Sequence, residues 1–386
     1  MSTESEKSPT AEMHPLLRVL SVLGLLFVFL MGVKGLGDGF KMLGRDVLEA
    51  VFTATSNPFI GLVVGILSTS IIQSSSVTTS MIVGLVAAPE NPLPLANAIP
   101  MVMGANIGTT VTASIVSLAH MGRKAEFRRA FAVANCHDFF NYMSVLILLP
   151  LELTTGYLRK TSGMLAHLLE SAEGYRYESP LKGALTAGLS PFKSLGKWIF
   201  AAEQMQGVFL IAVSGVFIFL SLFFLVKVMR SAMRIRVERS VTNILGSNAV
   251  LSMAVGMIAT MMVQSSSITT SLLVPLAGAG VITLEQAFPV TVGANLGTTI
   301  TALLASLAVS GPNAIFGIQI ALIHFLFNLS GTILIYPIER VRNIPLALAR
   351  WVSDWAVRSR KIAILRIVMM YFVVPGAFVF LYNLFK

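Results

Sequence analysis

Two stretches of sequence, Gln73-Ser-Ser-Ser-Val-Thr-Thr-Ser80 and Gln264-Ser-Ser-Ser-Ile-Thr-Thr-Ser271, are nearly identical and lie 191 positions apart. A second pair follows them in the same order, since Gly104-Ala-Asn-Ile-Gly-Thr-Thr110 recurs as Gly293-Ala-Asn-Leu-Gly-Thr-Thr299. Because whole blocks recur in order at nearly constant spacing, the sequence predicts two copies of one structural unit.

A third block fixes the extent of the copies. His137-Asp-Phe-Phe-Asn141 is echoed by His324-Phe-Leu-Phe-Asn328, 187 positions later. From these blocks we place the first copy at residues 19–152 and the second copy at residues 206–339, and we interpret residues 153–205 as a polar connector between them.

The composition indicates a membrane protein. Of the 386 residues, 55% are hydrophobic and 12% are charged, whereas soluble domains contain about 25% charged residues. Glu90 is the one charged residue in 50–119, and Glu285 is the one in 240–338. Such stretches predict an all-α polytopic membrane protein. The net charge of +10 does not indicate nucleic acid, because the basic residues lie between apolar segments and face lipid headgroups and cytoplasm.

Equivalent loops of the two copies carry opposite charge bias. Residues 121–129 contain four basic residues, and the equivalent 308–313 contain none. Before the Gln-Ser-Ser-Ser blocks the bias is reversed, because residues 38–49 contain two basic residues and 227–239 contain five. Since Lys and Arg mark cytoplasmic loops, the sequence predicts two inverted-topology repeats, the architecture of secondary transporters.

The remaining segments are interpreted from the same charge rule. Residues 1–18 are predicted to be a cytoplasmic tail. The chain is therefore expected to be a protein of the cell membrane whose N-terminus lies on the cytoplasmic side. The connector 153–205 is placed outside, although its six basic residues leave a cytoplasmic connector as an alternative. Residues 340–362 are predicted to form an interfacial basic helix, and residues 363–386 a C-terminal transmembrane helix.

The Gln-Ser-Ser-Ser blocks interrupt apolar segments of unusual length. A helix crossing a bilayer needs about 20 residues. Residues 58–88 divide at Gln73–Ser76 into halves of 15 and 12 residues, which correspond to about 22 and 18 Å of helix. Neither half crosses, so each copy is predicted to contain a re-entrant helical hairpin with the motif at its tip.

The Gly-Ala-Asn blocks lie inside segments that are long enough to cross. In 95–118 the middle contains Gly104, Gly108 and Thr109-Thr110, which predicts a discontinuous transmembrane helix in each copy. Broken backbone at membrane depth is tolerated where it lines a cavity. Two hairpin tips and two broken helices are therefore expected to converge on one central cavity.

That cavity would contain hydroxyl and amide groups and no Lys, Arg or carboxylate from these blocks. Serine hydroxyls and backbone N–H groups at helix starts suit an anion, and Gln, Asn and Thr oxygens suit a small hard cation. An anion held without a protein cation needs a co-bound positive charge, which Na⁺ would supply. Spacing alone does not choose between Na⁺ and H⁺, but the lack of Asp and Glu in both hairpins argues against a proton relay.

These residues resemble the type II sodium-phosphate cotransporter family. The resemblance rests on the paired Gln-Ser-Ser-Ser motifs, on Met103-Gly-Ala-Asn-Ile-Gly-Thr-Thr110 and on Glu126-Phe-Arg-Arg-Ala-Phe131, and it extends over both copies. Animal members have a large external loop with cysteines and glycosylation sites. Residues 153–205 contain no Cys and no Asn-x-Ser/Thr sequon, so the chain is similar to a bacterial-type member.

The resemblance implies Na⁺-coupled symport of inorganic phosphate by alternating access, with Na⁺ as the co-transported ion and no organic cofactor. It implies that phosphate binds at Ser74, Ser75, Ser76, Ser265, Ser266 and Ser267. It implies that Na⁺ binds at Gln73, Thr78, Asn106, Thr109, Thr110, Gln264, Asn295, Thr298 and Thr299. We also predict that four polar residues inside spans support the site: His137, Asn141, His324 and Asn328.

Three other functions are alternatives to Na⁺-coupled phosphate symport. A Na⁺-coupled symporter of another oxyanion or a dicarboxylate would use similar chemistry. A passive channel would show flux without saturation. A membrane-embedded hydrolase would use a serine with His137 or His324, but no Gly-x-Ser-Gly elbow occurs and each histidine has a counterpart in the other copy. The sequence therefore does not predict an enzyme.

Overall fold

The computed structural model describes residues 15–43, 56–172, 180–244, 248–309 and 311–384, and within these ranges it contains helices and no β-strand. This confirms the all-α prediction. In chain order the α-helices are α1 Pro15–Met42, α2 Pro58–Ile72, α3 Ser75–Val86, α4 Leu95–Thr109, α5 Val111–Ser117, α6 Lys124–Thr155, α7 Tyr157–Ala172, α8 Pro180–Ile199, α9 Glu203–Ile244, α10 Ala249–Val263, α11 Ser266–Gly278, α12 Leu284–Ser306, α13 Ala314–Ile335, α14 Glu339–Arg358, α15 Arg360–Val368 and α16 Val374–Leu384.

Seven segments in the described part of the chain are long and apolar enough to cross a membrane. The most apolar 18-residue windows of Leu95–His120, Lys124–Thr155 and Leu284–Ser306 are 72%, 72% and 78% buried within the protein. The corresponding windows of Leu16–Gly39 and Lys361–Tyr382 are 22% and 17% buried. The helices that carry the Gly-Ala-Asn and first His-Asn motifs therefore lie at the centre of the molecule, and the terminal helices lie at its periphery.

Two pairs of short helices contain the Gln-Ser-Ser-Ser motifs. In the first pair α2 has 15 residues and α3 has 12, and in the second pair α10 has 15 and α11 has 13. Between the helices of each pair the chain turns at Gln73 or Gln264, whose φ angles of 60° and 56° are in the left-handed region. The predicted division at the motif is confirmed. The re-entrant placement of the two pairs stays a prediction.

The predicted discontinuous helices are not found in the expected form. In the second copy α12 runs without interruption from Leu284 to Ser306. In the first copy a one-residue irregularity at Thr110 separates α4 from α5, and Thr110 keeps helical angles of φ −74° and ψ −15°. The threonines do not break the backbone, and their hydroxyls bond back to carbonyls of the preceding turn, as Thr109 Oγ1 does to Ala105 O at 3.0 Å.

The glycines of the motif serve close helix packing. A Cβ added at Gly104 would overlap the carbonyl oxygen of Leu62 in α2, and one added at Gly293 would overlap that of Met253 in α10. Each copy thus presses its Gly-Ala-Asn helix against the first helix of its short pair, backbone to backbone. Small residues permit this approach between membrane helices.

The amphipathic helix that follows each copy packs against the other copy. The helix α14, after the second copy, lies along α6 of the first, where Arg128 Nε and Asp354 Oδ1 are 2.5 Å apart. The helix α7, after the first copy, lies along α13 of the second, where Gln319 Nε2 donates to Arg159 O at 2.8 Å. This reciprocal packing ties the two copies together outside their repeated motifs.

Two segments interpreted as loops are helical. The basic segment 227–239 belongs to α9, which continues to Ile244, because Arg, Lys and Met are good helix formers and no Gly or Pro occurs between residues 216 and 244. In the segment 121–129, α6 begins at Lys124. The charge bias of these segments is unaffected, although 227–239 and 124–129 lie within helices and only residues 121–123 form a turn between helices.

The predicted flanking segments are described in part. Residues 1–14 of the tail lie outside the described residues, and α1 already begins at Pro15. Residues 44–49 of the segment 38–49 also lie outside the described residues. The connector contains α7 and α8, while its residues 173–179 also lie outside the described part. The predicted basic helix corresponds to α14, which buries Leu346 and Ala349 and exposes Trp351 and Trp355.

Candidate functional site

The side chain of Gln73 holds the turn between the first two short helices. Its Oε1 accepts a hydrogen bond from Thr112 Oγ1 at 2.9 Å, and its Nε2 donates to Ser70 O at 2.5 Å. The left-handed conformation is unfavourable for a residue with a Cβ. These two hydrogen bonds offset that cost, and the bond from Thr112 links the turn to α5, which follows the Gly-Ala-Asn helix α4.

The second copy repeats the same arrangement. Gln264 Oε1 accepts from Thr301 Oγ1 at 2.7 Å, and Gln264 Nε2 donates to Met261 O at 2.6 Å. Thr301 is the equivalent of Thr112 at the 189-residue offset of the Gly-Ala-Asn blocks. The two turns therefore have one local geometry, which each copy builds from its own residues.

The predicted phosphate-binding serines start the second helix of each pair. Ser74 occupies the N-cap of α3 and accepts from Val77 N at 3.3 Å, and Ser265 occupies the N-cap of α11. The four serines that follow are at most 8% exposed: Ser75, Ser76, Ser266 and Ser267. The start of each helix thus presents backbone N–H groups beside serine hydroxyls, an arrangement that suits an anion.

The two turns meet at the interface between the copies. Ser76 Oγ donates to Gln264 O at 3.4 Å and lies 3.4 Å from Thr301 Oγ1. The equivalent contacts of Ser267 with Gln73 and Thr112 are absent among the described residues. The structure thus brings predicted residues of both copies together. The contacting serine comes from the first copy, and its partners come from the second.

The predicted Na⁺-binding threonines have their hydroxyl hydrogens engaged. Each donates to a carbonyl of the preceding turn, at the following distances: Thr78 to Ser74 at 3.2 Å, Thr109 to Ala105 at 3.0 Å, Thr110 to Ile107 at 2.8 Å, Thr298 to Ala294 at 3.0 Å and Thr299 to Leu296 at 2.7 Å. Thr78 Oγ1 also accepts a hydrogen bond from Thr69 Oγ1 at 3.0 Å. A hydroxyl whose hydrogen is engaged keeps oxygen lone pairs for a further partner.

A buried chain of hydrogen bonds links the histidine and asparagine motifs across the copies. His137 Nε2 donates to Asn295 Oδ1 at 2.6 Å, Asn295 Nδ2 donates to Asn141 Oδ1 at 2.7 Å, and Asn141 Nδ2 donates to Asn106 O at 2.8 Å. All four residues are at most 3% exposed. The predicted supporting residues His137 and Asn141 therefore contact the predicted Na⁺-binding residues directly.

The reciprocal contacts from the second copy are sparser. Asn328 Nδ2 lies 3.2 Å from Asn106 Oδ1 and also donates to its own helix at His324 O, at 3.0 Å. Asn106 Nδ2 donates to Val102 O at 3.0 Å, within its own helix. Within the described part of the chain, neither ring nitrogen of His324 has a hydrogen-bond partner, and His324 is fully buried.

Comparison with known proteins assigns the chain to a family. The sequence model described as Na⁺/Pi-cotransporter matches residues 28–169 and 199–348, which include every predicted site residue. The chain belongs to this family. No solved structure matches the chain.

The relatives of this family member include animal proteins. Sodium-dependent phosphate transport protein 2A of Rattus norvegicus is 33% identical over 429 residues, covering 94% of this chain and 67% of the relative. The 2A protein of Mus musculus is 34% identical with the same coverage. Sodium-dependent phosphate transport protein 2B of Homo sapiens is 32% identical over 445 residues, covering 93% of this chain and 64% of the relative. The chain thus spans about two thirds of the length of these relatives.

Four contacts of this family member are not predicted from the sequence. Thr112 and Thr301 hold the glutamines, and extending the repeat comparison two residues past the Gly-Ala-Asn-x-Gly-Thr-Thr block would have found them. The other two contacts come from the C-terminal segment: Arg366 Nη2 lies 3.0 Å from Asp138 Oδ2, and Tyr371 shares a 2.6 Å hydrogen bond with Thr110.

The ion pair has no counterpart in the second copy of this family member. Asp138 is fully buried and the Arg366 side chain is 14% exposed, while Phe325 occupies the position equivalent to Asp138. The guanidinium also lies over the rings of Phe131 and Phe139, at 5.9 and 5.6 Å from their centroids. The predicted site residues are Ser, Thr, Gln and Asn, whose side chains carry no charge, together with the titratable His137 and His324.

Proposed function

We propose that this chain is a secondary active transporter that couples the uptake of inorganic phosphate to Na⁺ by alternating access in a cell membrane. The observation that carries the proposal is the meeting of the two Gln-Ser-Ser-Ser turns, where Ser76 Oγ reaches Gln264 O at 3.4 Å. Membership of the Na⁺/Pi-cotransporter family and the printed names of the relatives support the same substrates.

In this proposal phosphate binds between the two turns. Its oxygens accept hydrogen bonds from backbone N–H groups at the starts of α3 and α11 and from the serines Ser74, Ser75, Ser76, Ser265, Ser266 and Ser267. Helix N-termini carry a partial positive charge that favours an anion. The helices α3 and α11 both begin within these motifs, so two such ends serve one ligand.

Sodium binds beside the phosphate, at amide oxygens and at threonine hydroxyl oxygens whose hydrogens are already engaged. The proposed ligands are Gln73, Thr78, Asn106, Thr109, Thr110, Gln264, Asn295, Thr298 and Thr299. The threonine hydroxyls donate to carbonyls, as Thr298 does to Ala294 O at 3.0 Å, which leaves their lone pairs for a hard cation. Bound Na⁺ offsets the anionic charge where these motifs supply no Lys or Arg, and this mutual dependence couples the two fluxes.

The short helix pairs are re-entrant and the copies are inverted in the membrane. Helices of 15 and 12 residues reach about 22 and 18 Å, too short for a hydrocarbon core of about 30 Å. The turns therefore lie near mid-membrane, with the N-terminus cytoplasmic and the connector outside. Movement of the two copies about this point would open the site to each side in turn.

The direct test is uptake of labelled phosphate into proteoliposomes, with and without an inward Na⁺ gradient. We expect saturable uptake that requires the gradient and is not competed by sulfate or succinate. Competition by either would instead favour a symporter of another oxyanion or a dicarboxylate. Non-saturating flux without Na⁺ dependence would contradict coupled transport.

Substitution of the two glutamines tests the shared site. Gln73→Ala and Gln264→Ala should each abolish Na⁺-coupled uptake while the protein is still produced, because each removes the side-chain hydrogen bonds that hold one turn. Gln206→Ala is a matched control, since Gln206 Nε2 bonds to Phe200 O at 2.8 Å away from both turns. Wild-type Na⁺ affinity and rate in either turn variant would rule out one central site.

A further inference from the structure

The two copies differ in how their histidines contact the other copy. His137 of the first copy donates to Asn295 of the second at 2.6 Å. The equivalent pair would be His324 and Asn106, but both ring nitrogens of His324 are without a partner among the described residues. His324 is fully buried, and an unpaired buried polar group costs about 1–3 kcal/mol. A fully buried imidazole in this condition is a marked departure from the usual pairing of buried polar atoms.

The amide groups of the equivalent asparagines have different partners in the two copies. Asn106 Nδ2 donates back to Val102 O at 3.0 Å, whereas the equivalent Asn295 Nδ2 reaches across to Asn141. Asn328 Oδ1, the equivalent of the oxygen that Asn295 contacts, also has no partner in the described residues. His137 and Asn141 therefore both contact Asn295 of the other copy, whereas in the equivalent set Asn328 alone contacts Asn106 and His324 does not.

A second, independent contact has the same one-sidedness. Ser76 of the first copy reaches Gln264 O and Thr301 Oγ1 of the second, both at 3.4 Å. The equivalent contacts, from Ser267 to Gln73 O and Thr112, are absent in the described structure. At the turn the reverse contact is absent among the described residues, and at the histidine helix it is reduced to the 3.2 Å contact between Asn328 Nδ2 and Asn106 Oδ1.

We infer that these one-sided contacts exchange during transport, so that His324 pairs with Asn106 and Ser267 contacts Gln73 in the oppositely facing state. Alternating access in transporters with inverted repeats proceeds by movement of one repeat against the other, and the exchanged state is the one in which each copy takes the conformation of the other. His137 and His324 are then positioning residues, each holding one of the two states. The inference rests on the proposed alternating access, and it assigns the histidines a role in the balance between states.

Disulfide cross-linking can report each state separately. In a Cys136→Ala background, the pair Ser76→Cys with Thr301→Cys should cross-link in the state described here, because the two native oxygens are 3.4 Å apart. The equivalent pair, Ser267→Cys with Thr112→Cys, should cross-link only in the exchanged state. Each pair joins residues of different copies, so cleavage in the connector followed by a non-reducing gel measures the cross-linked fraction.

Histidine substitution should move the two reporters in opposite directions. His137→Phe should lower the rate of cross-linking at 76/301 relative to 267/112, and His324→Phe should raise it. The expected change in the ratio is about three- to tenfold, the effect of one hydrogen bond present in one state alone. His137→Gln, which keeps an N–H donor, should restore the ratio, and the exposed His167→Phe should leave it unchanged.

The inference is overturned if the pair 267/112 forms no cross-link in the background with native histidines, a result that needs no histidine variant to fold. It is also overturned if both phenylalanine variants shift the ratio the same way, as general loosening would do. These readouts do not measure transport. Exchange of cross-links without phosphate uptake would refute the proposed function alone, and Na⁺-driven phosphate uptake without exchange would refute this inference alone.

Discussion

The first and second copies share their local geometry and differ in their long-range contacts. Both turns are held by a glutamine with φ near 60° and by a threonine hydroxyl, at 2.9 Å in one copy and 2.7 Å in the other. By contrast, among the described residues the side-chain hydrogen bonds of Arg366 and Tyr371, in the C-terminal segment, are with Asp138 and Thr110 of the first copy. The C-terminal segment is therefore an addition to one half of a duplicated structure.

This difference shows which features a duplicated sequence preserves. Hydrogen bonds within one copy are reproduced because the same residues occur at the same spacing in the other. Contacts between copies, or with segments outside them, depend on the arrangement of the whole molecule. Stability and conformational balance can therefore differ between two copies whose motifs are nearly the same.

The largest expected effect is at the ion pair that only the first copy has. Asp138→Asn leaves the guanidinium of Arg366 without its carboxylate, and we expect a loss of about 3–5 kcal/mol in the free energy of unfolding. The double variant Asp138→Asn/Arg366→Gln should lose less than either single variant, because no unpaired charge remains. Thermal unfolding in detergent measures both.

The matched control is the exposed pair of Arg128 and Asp354, whose side chains are 59% and 44% exposed. Asp354→Asn should cost under about 1 kcal/mol. If Asp138→Asn were no more destabilising than this control, the C-terminal segment would not be fastened to the first copy by charge.

The next effect should be equal in the two copies. Gly104→Ala and Gly293→Ala each place a Cβ against a backbone carbonyl oxygen of the neighbouring short helix, and overpacking of this kind costs about 1–3 kcal/mol or more. Gly24→Ala is the control, since no atom lies within 4 Å of the added Cβ. A large loss from one variant and none from the other would show that the two copies are not packed alike.

A smaller, unequal effect is expected at the threonines that hold the turns. Thr112→Val and Thr301→Val each remove the donor to a glutamine Oε1, at a cost of about 1 kcal/mol. Thr301→Val should reduce Na⁺-driven phosphate uptake further, because Thr301 also lies 3.4 Å from Ser76 Oγ. Equal uptake by the two variants, measured in the same proteoliposomes, would remove this asymmetry between the turns.

The smallest effect compares two tyrosine hydroxyls. Tyr371→Phe removes the 2.6 Å hydrogen bond to Thr110 in the first copy, and Tyr157→Phe removes a 3.0 Å bond to Ser330 in the second. We expect about 1 kcal/mol for Tyr371→Phe and less for Tyr157→Phe, whose hydroxyl is less buried. Unfolding midpoints of the two variants in one detergent would measure the difference, and a larger loss for Tyr157→Phe would contradict it.

The sequence predicted the short helices well and the central helices less well. The division of 58–88 at the Gln-Ser-Ser-Ser motif corresponds to α2 and α3, because a run of apolar residues interrupted by a polar motif has few alternatives at these lengths. The predicted break in the Gly-Ala-Asn helices is absent from α12. Glycine followed by threonine is compatible with a broken helix and with a closely packed one. The carbonyl groups of Leu62 and Met253 lie against Gly104 and Gly293, so these glycines serve close packing.

The candidate site was likewise predicted in part. The sequence identified the residues that meet at the centre, including His137 and Asn295, because their motifs are duplicated. It did not identify which residue contacts which. His137 could have paired within its own copy, and the observed bond to Asn295 joins residues 158 positions apart.

The sequence by itself determined the duplication, the all-α membrane class and the position of the two glutamine turns. These features follow from residue spacing and from the need to satisfy backbone groups in an apolar medium. Only the tertiary structure decided that Gly104 packs and does not break a helix, that Arg366 neutralises Asp138 from 228 positions away, and that His324 is left unpaired where His137 is not. Such contacts depend on where distant helices come together, and no local pattern encodes that placement.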